Sequence, residues 1–274
     1  MRVLGDRDVP AVLDLLDTDP IANLFVASRV RSAGLDPARL GAEMWGHEVH
    51  GRLKAVCYAG ANLVPVNADE SALAGFAARA RKQGRRCSSI VGPAHMVEVL
   101  WRDLMSSWGP ARDIRLRQPL LAISRDPDET PDTAVRRVRL DEVDVLLPAS
   151  IAMFTEEVGV SPIAGDGGAL YRSRVRELVA AGRSFARIDD GRVVFKAEVG
   201  AATDRVCQVQ GVWVDPAWRG RGLSAAGMAA VVEACRRDIA PTVSLYVNDF
   251  NAPARRAYER VGFCEVGTLA SILF

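Results

Sequence analysis

Apolar positions along the chain follow two periods, and the second half shows both clearly. Alternating, β-branched runs predict strands near 184 to 189, 192 to 201 and 205 to 214, with a turn at Asp190-Gly191 between the first two. A period near 3.6 predicts helices over "EVDVLLPASIAMFTEEVG", "ALYRSRVRELVAAG", "SAAGMAAVVEACRR" and "APARRAYERV". The stretch "SPIAGDGG" (161–168) reads as the loop between the first two helices. A short strand near 135 to 140 opens this half, "TVSLYVN" follows the third helix, and the apolar "VGTLASILF" closes it as a last strand.

The first half repeats that order in weaker form. "EMWGHEVHGRLKAVCYAGANLVPVNA" reads as strand, turn at His50-Gly51, strand, loop and strand, and Gly51-Arg52-Leu53 falls where Gly191-Arg192-Val193 falls later. Each half also begins with a short polar strand and an acidic helix start, Gly5-Asp6-Arg7-Asp8 in one and Leu140-Asp141-Glu142 in the other. "SRDPDETPDTAVRR" between them is rich in proline and acid and predicts a linker. The expected organisation is a tandem of two α/β units over 1–124 and 135–274, joined at 125–134. Each unit is a mixed, mostly antiparallel sheet flanked by helices.

Composition narrows the function. A net charge of +1 over 274 residues provides no global field for nucleic acid or an acidic membrane. With only Lys54, Lys82 and Lys196 as lysines, the arginine excess reads as the bias of a GC-rich genome. Five scattered cysteines form neither a disulfide framework nor a zinc knuckle and point to a reducing compartment. The opening "MRVLGDRDVPAVLDLL" acquires acids too early for a signal peptide, and no run reaches the ~18 apolar residues of a membrane span. The expectation is a cytoplasmic protein. His47 and His50 lie in a hairpin, face opposite sides of a strand and lack zinc-helix spacing, so no metal site is expected.

The segment that raises a chemical question is "WVDPAWRGRGLS" (213–224). It places Arg219-Gly220-Arg221-Gly222 between a strand and a helix, where unpaired amides and the helix dipole meet. Two glycines let the backbone approach an anion, and Arg219 and Arg221 can add charged contacts to phosphate. The longer run "VQGVWVDPAWRGRGLSAAGMAAVVEAC" resembles the acyl-CoA motif of the GNAT acetyltransferase superfamily, Gln/Arg-x-x-Gly-x-Gly/Ala, met by Arg219, Gly222 and Ser224. Ser224 departs from the usual last residue. Downstream, "NDFNAPARRAYERVGFCEVG" resembles the family's second motif through Asn251, Ala254, Tyr258, Gly262 and Phe263. The resemblance covers most of 135–274 and, in degraded form, 1–124, a tandem arrangement of actinobacterial type. The first half carries neither motif, so it is expected to have lost the phosphate cradle and to frame the acceptor cleft.

The resemblance implies acetyl transfer from acetyl-CoA to an amine by direct attack. The cofactor's diphosphate would rest on Arg219, Gly220, Arg221, Gly222, Leu223 and Ser224. Its pantetheine would run along Val212, Trp213 and Val214, with Asn251 capping the last helix and touching it. Tyr258 stands at the position of a general acid, since a phenol of pKa about 10 is protonated near neutrality. Where some members carry a glutamate base, this chain has Gln208, which cannot serve. Glu198, bracketed by alanine and valine, is the candidate base, and deprotonation through water without a single base is the alternative. Glu156 and Glu157 end a helix, where acids oppose the dipole, and are candidates with Gln208 for the acceptor side. The acceptor is open among small molecule, peptide and protein lysine, and the chain is expected to be a monomer or homodimer. "LYVNDFNAPARRAYERVGF" is also similar to the mycothiol synthase branch of the family, which implies a small-molecule acceptor. A rival from another class is a regulatory module that binds acyl-CoA without turnover.

Overall fold

The structure, a computed structural model, describes residues 1–163 and 167–274. The expected loop at 161–168 thus lies partly outside the described residues. The chain divides into two compact units. The first comprises Met1–Leu121, Tyr246–Phe250 and Glu265–Phe274, and the second Ala122–Leu245 and Asn251–Cys264.

The first half of the chain folds as β1 (Arg2–Val3), α1 (Val9–Leu16), α2 (Leu24–Ala33), α3 (Pro37–Leu40), β2 (Glu43–Val49), β3 (Arg52–Ala59), β4 (Asn62–Val66), α4 (Glu70–Gln83), β5 (Ser89–Pro93), α5 (Ala94–Trp108) and β6 (Asp113–Ile123). The second half folds as β7 (Arg136–Arg137), α6 (Val143–Val158), α7 (Ala169–Ala180), β8 (Ser184–Asp189), β9 (Arg192–Ala202), β10 (Val206–Val214), α8 (Leu223–Asp238), β11 (Thr242–Tyr246), α9 (Ala252–Val261) and β12 (Cys264–Leu273). Apart from the short α3, the order of strands and helices is the same twice over.

Pairing repeats as well. Within the first unit the strands lie in the order β1-β2-β3-β4-β5-β12-β6, and within the second β7-β8-β9-β10-β11. Each set has one parallel pair at the same place in the repeat, β4 with β5 and β10 with β11. The two expected hairpins carry the same turn, with positive φ at His50-Gly51 and at Asp190-Gly191, as a two-residue type I′ loop requires. The acidic helix starts match in detail. Asp8 accepts from Arg2 Nη1 at 2.8 Å and from the Gly5 amide at 2.9 Å. Glu142 accepts from Arg136 Nη1 at 2.8 Å and from the Arg139 amide at 2.9 Å.

In the first unit, β3 is apolar on both faces because both are covered. Val56 and Tyr58 pack with Val12, Leu16 and Val26, while Ala55 and Cys57 pack with Phe76, Ile90 and Leu100. The terminal strand differs in placement from a simple division of the chain at its linker. β12 lies antiparallel to β5, with Ala270 opposite Gly92 and Ile272 opposite Ile90. Ala270 and Ile272 enter the first unit's core, and Phe274 packs edge-on against Trp101 and Trp108. In the second unit, Val143, Leu146, Ala149 and Met153 of α6 pack with Ala186, Val193 and Trp213 of the sheet. No helix among the described residues is long and apolar enough to cross a membrane.

Candidate functional site

β10 and β11 begin as a regular parallel pair and then part. Their register runs from Val206↔Thr242 to Gln208↔Ser244, while β10 continues to Val214. A bulge in β10 between Gln210 and Trp213 turns the strand, centred on Gly211 at φ +59°. A β-carbon at Gly211 would lie 3.0 Å from Met153 Cε and 3.1 Å from Lys196 Nζ, so the strand sits close against the side chains beneath it.

The strand ends in a built corner. Asp215, 2% exposed, accepts from the Ala217 amide at 2.9 Å and from Arg192 Nε at 2.6 Å. After a short helical turn at Pro216–Trp218, Gly220 and Gly222 take φ of +77° and +80°, and Gly222 is the N-cap of α8. β-carbons at these two glycines would point into open space, so backbone conformation, and not crowding, demands glycine there. The amides of Gly220, Arg221 and Gly222 have no acceptor among the described residues. Together with the N-terminus of α8 they make a cradle of unpaired donors, a geometry that can accept an anion.

Parting strands and cradle open onto one cleft of about 610 Å³. Of the expected cofactor residues, Val212, Trp213, Val214, Arg219, Gly220, Gly222, Leu223, Ser224, Asn251 and Tyr258 all line it. Arg221 does not, and instead stacks over Trp218 at 4.8 Å. Arg256 and Arg260 also line the cleft, which motif reading missed. Their signal was their spacing, one turn apart on α9.

Asn251 caps α9, accepting from the Ala254 amide at 3.3 Å. Tyr258 is buried and packs edge-on to Phe263, with ring centroids 6.0 Å apart. Burial, and to a lesser degree the charge of Glu157, pushes its phenol pKa up. The hydroxyl therefore stays protonated, and it has no protein partner among the described residues.

Of the remaining candidates, Glu198, Gln208 and Glu157 stand apart from the cleft lining. Glu198 is buried, with Oε2 accepting from Lys196 Nζ and Oε1 from Gln210 Nε2, each at 3.1 Å. The Gln210 carboxamide lies over Gly200, where a β-carbon would collide with it. Gln208 sits in β10 opposite Ala201 and Ser244. Glu157 is exposed at the end of α6, and its charge is felt by both Tyr171 and Tyr258. Glu156 does line the cleft, but its carboxylate is engaged. Oε1 accepts from Trp213 Nε1 at 3.1 Å and Oε2 from Arg219 Nη2 at 2.7 Å. No cluster of metal-ligating side chains occurs among the described residues.

Comparison with known proteins gives a family for part of the chain. Residues 164–263 match the acetyltransferase (GNAT) family, and residues 42–146 match a domain of unknown function, DUF4081. A 73-residue stretch is 44% identical to a mycothiol acetyltransferase of Brachybacterium faecium, spanning 27% of this chain and 22% of that protein's length. Among solved structures, a tandem GNAT protein of the clavulanic acid pathway superposes with a TM-score of 0.58 at 15% identity, covering 99% of this chain and 97% of its own. A Drosophila protein superposes at 0.70 and 15% identity, covering 100% and 98%. The match to the GNAT acetyltransferases thus lies in residues 164–263, and the likeness to the solved structures over the whole length is one of fold.

Proposed function

We propose that the second unit transfers an acetyl group from acetyl-CoA to an amine acceptor, with Tyr258 as general acid. The observation that carries the reading is convergence. Gly220 and Gly222 of the turn with unpaired amides, Val212–Val214 of β10 beyond its last pair with β11, and Tyr258 with its unpartnered hydroxyl all line one cleft. The turn suits a diphosphate, because its positive-φ glycines leave three successive amides unpaired at the N-terminus of α8.

When bound, acetyl-CoA supplies an acyl thioester open to attack by an amine. The chain's own residues do the rest. The amide cradle and Arg219 hold the diphosphate, and the edge of β10 orients the pantetheine arm by backbone hydrogen bonds. Tyr258, kept protonated by burial, donates to the departing sulfur. Glu198, held between Lys196 and Gln210, is proposed to receive the amine proton. Glu157 and Gln208 are assigned to the acceptor side, while Glu156 stands on Arg219, at the diphosphate end. The first unit, which lacks both motifs, is proposed as a degenerate copy of the same domain. The identity to mycothiol acetyltransferase favours a small-molecule acceptor as a second, narrower reading.

Calorimetric titration with acetyl-CoA tests this, beside Gly222→Glu, which puts bulk and negative charge into the cradle. Saturable binding by the native chain that is lost in the variant is expected. An absence of binding by the native chain would remove the reading.

A further inference from the structure

Arg219, the residue assigned to the diphosphate, already holds an anion. Its Nη2 donates to Glu156 Oε2 at 2.7 Å, while its Nε donates to the Val214 carbonyl at 3.1 Å. Glu156 is the one acid among the described residues lining the cleft, against Arg219, Arg256 and Arg260. It stands in the last turn of α6, where a negative charge opposes the helix dipole and gains from a cation brought alongside. Both side chains remain about half exposed, at 49% and 47%, so the pair is open to exchange with a soluble anion.

We propose that Glu156 is a placeholder for the cofactor's diphosphate. It holds Arg219 until the cofactor is seated and is then displaced from it. This rests on the acyl-CoA reading above. Arg219 stays anchored at Nε by Val214, so only the partner at Nη2 changes. Glu156 keeps its second oxygen on the Trp213 indole at 3.1 Å, which holds the end of α6 in place through the exchange. The placeholder keeps an arginine aimed at the cradle while it waits. Its cost is a negative charge that the incoming anion must overcome.

The sign of this effect separates it from a structural role. Glu156→Gln retains the shape and an oxygen for Trp213 but removes the charge. Titration with coenzyme A at low ionic strength should show binding about two- to fivefold tighter in the variant, the size of an exposed ion pair. The gain should shrink as salt is added. In an Arg219→Gln background the same change at Glu156 should bring no gain, because nothing is left to be released. Weaker binding by Glu156→Gln would overturn the proposal and make the residue a simple brace. An equal gain with and without Arg219 would overturn it too, as a general charge effect. Failure of the native chain to bind coenzyme A would instead remove the underlying acyl-CoA reading.

Discussion

Tyr258 combines burial, an unpartnered hydroxyl and a raised pKa, and these three properties define what it can do. A phenol in that state donates a proton and does not accept one. Tyr258→Phe leaves the ring's packing on Phe263 intact while removing the donor. Turnover should fall by about 100-fold, the usual scale for a general acid, with acetyl-CoA affinity changed by less than about twofold. Steady-state kinetics beside calorimetry would show the split, and equal losses in both would make Tyr258 a binding residue. Since burial pushes its pKa up, turnover should show no loss assignable to its ionisation below pH ~10. Resemblance to the family's two motifs singled out this residue, with Arg219, Gly222 and Asn251, because each motif lies within a single turn and the helix after it, and the structure brings all four to one cleft. Glu156 was placed near the acceptor for its unfavourable helix-end position, but its bond to Arg219 joins residues sixty-three positions apart. No periodicity carries such a pairing. Glu198, bracketed by alanine and valine in the sequence, is buried, and its ion-pair partner is Lys196 on the same strand.

At the scale of elements, the two helix starts argue that the repeat is physical and not only a matter of order. In both, an arginine from the opening strand and a backbone amide share one carboxylate, and each acid is nearly buried, at 13% and 12% side-chain exposure. Arg2, chiefly by hydrogen bonding, lowers the Asp8 pKa from 3.8 to about 2, and Arg136 lowers that of Glu142 from 4.5 to about 2. A carboxylate whose pKa is lower in the folded state binds protons more readily when unfolded. Its stabilisation is therefore complete above about pH 4.5 and disappears as pH falls towards 2. Urea midpoints measured across that window should drop for the native chain. The drop should be smaller in the Arg2→Met and Arg136→Met double variant, which is already weaker at pH 7. Parallel curves would show that these pairs contribute nothing. Strand and helix extents were largely readable, since β8, β9, β10 and α9 carry clean periods and turns. The bulge at Gly211 was not, because what demands it is the contact with Met153, Lys196 and Glu198 on other elements.

On the scale of the molecule, chain order and packing part company at the last strand. "VGTLASILF" reads as a strand in any sheet, because a run buried on both faces carries no mark of its neighbours. What decides its place is the company it finds, with β5 alongside and Trp101 and Trp108 against Phe274. Helix α9 belongs to the second unit and β12 to the first, so the first unit's core is closed by the end of the chain. Leu269, Ala270 and Ile272 are each at most 6% exposed there. Losing three such side chains and a strand's hydrogen bonds costs on the order of 5 kcal/mol. That rivals the whole stability of an ordinary domain, which is ~5–15 kcal/mol. Deleting residues 265–274 should therefore strip amide-exchange protection from β5 and α5, far along the chain from the cut. It should do so more than from α8 and β9, whose partners all lie in the second unit. If protection instead vanished first around α9, next to the deletion, β12 would matter only to its neighbours in the chain. Losses centred on β5 and α5 would mean that the first unit depends for its fold on the final strand of the chain.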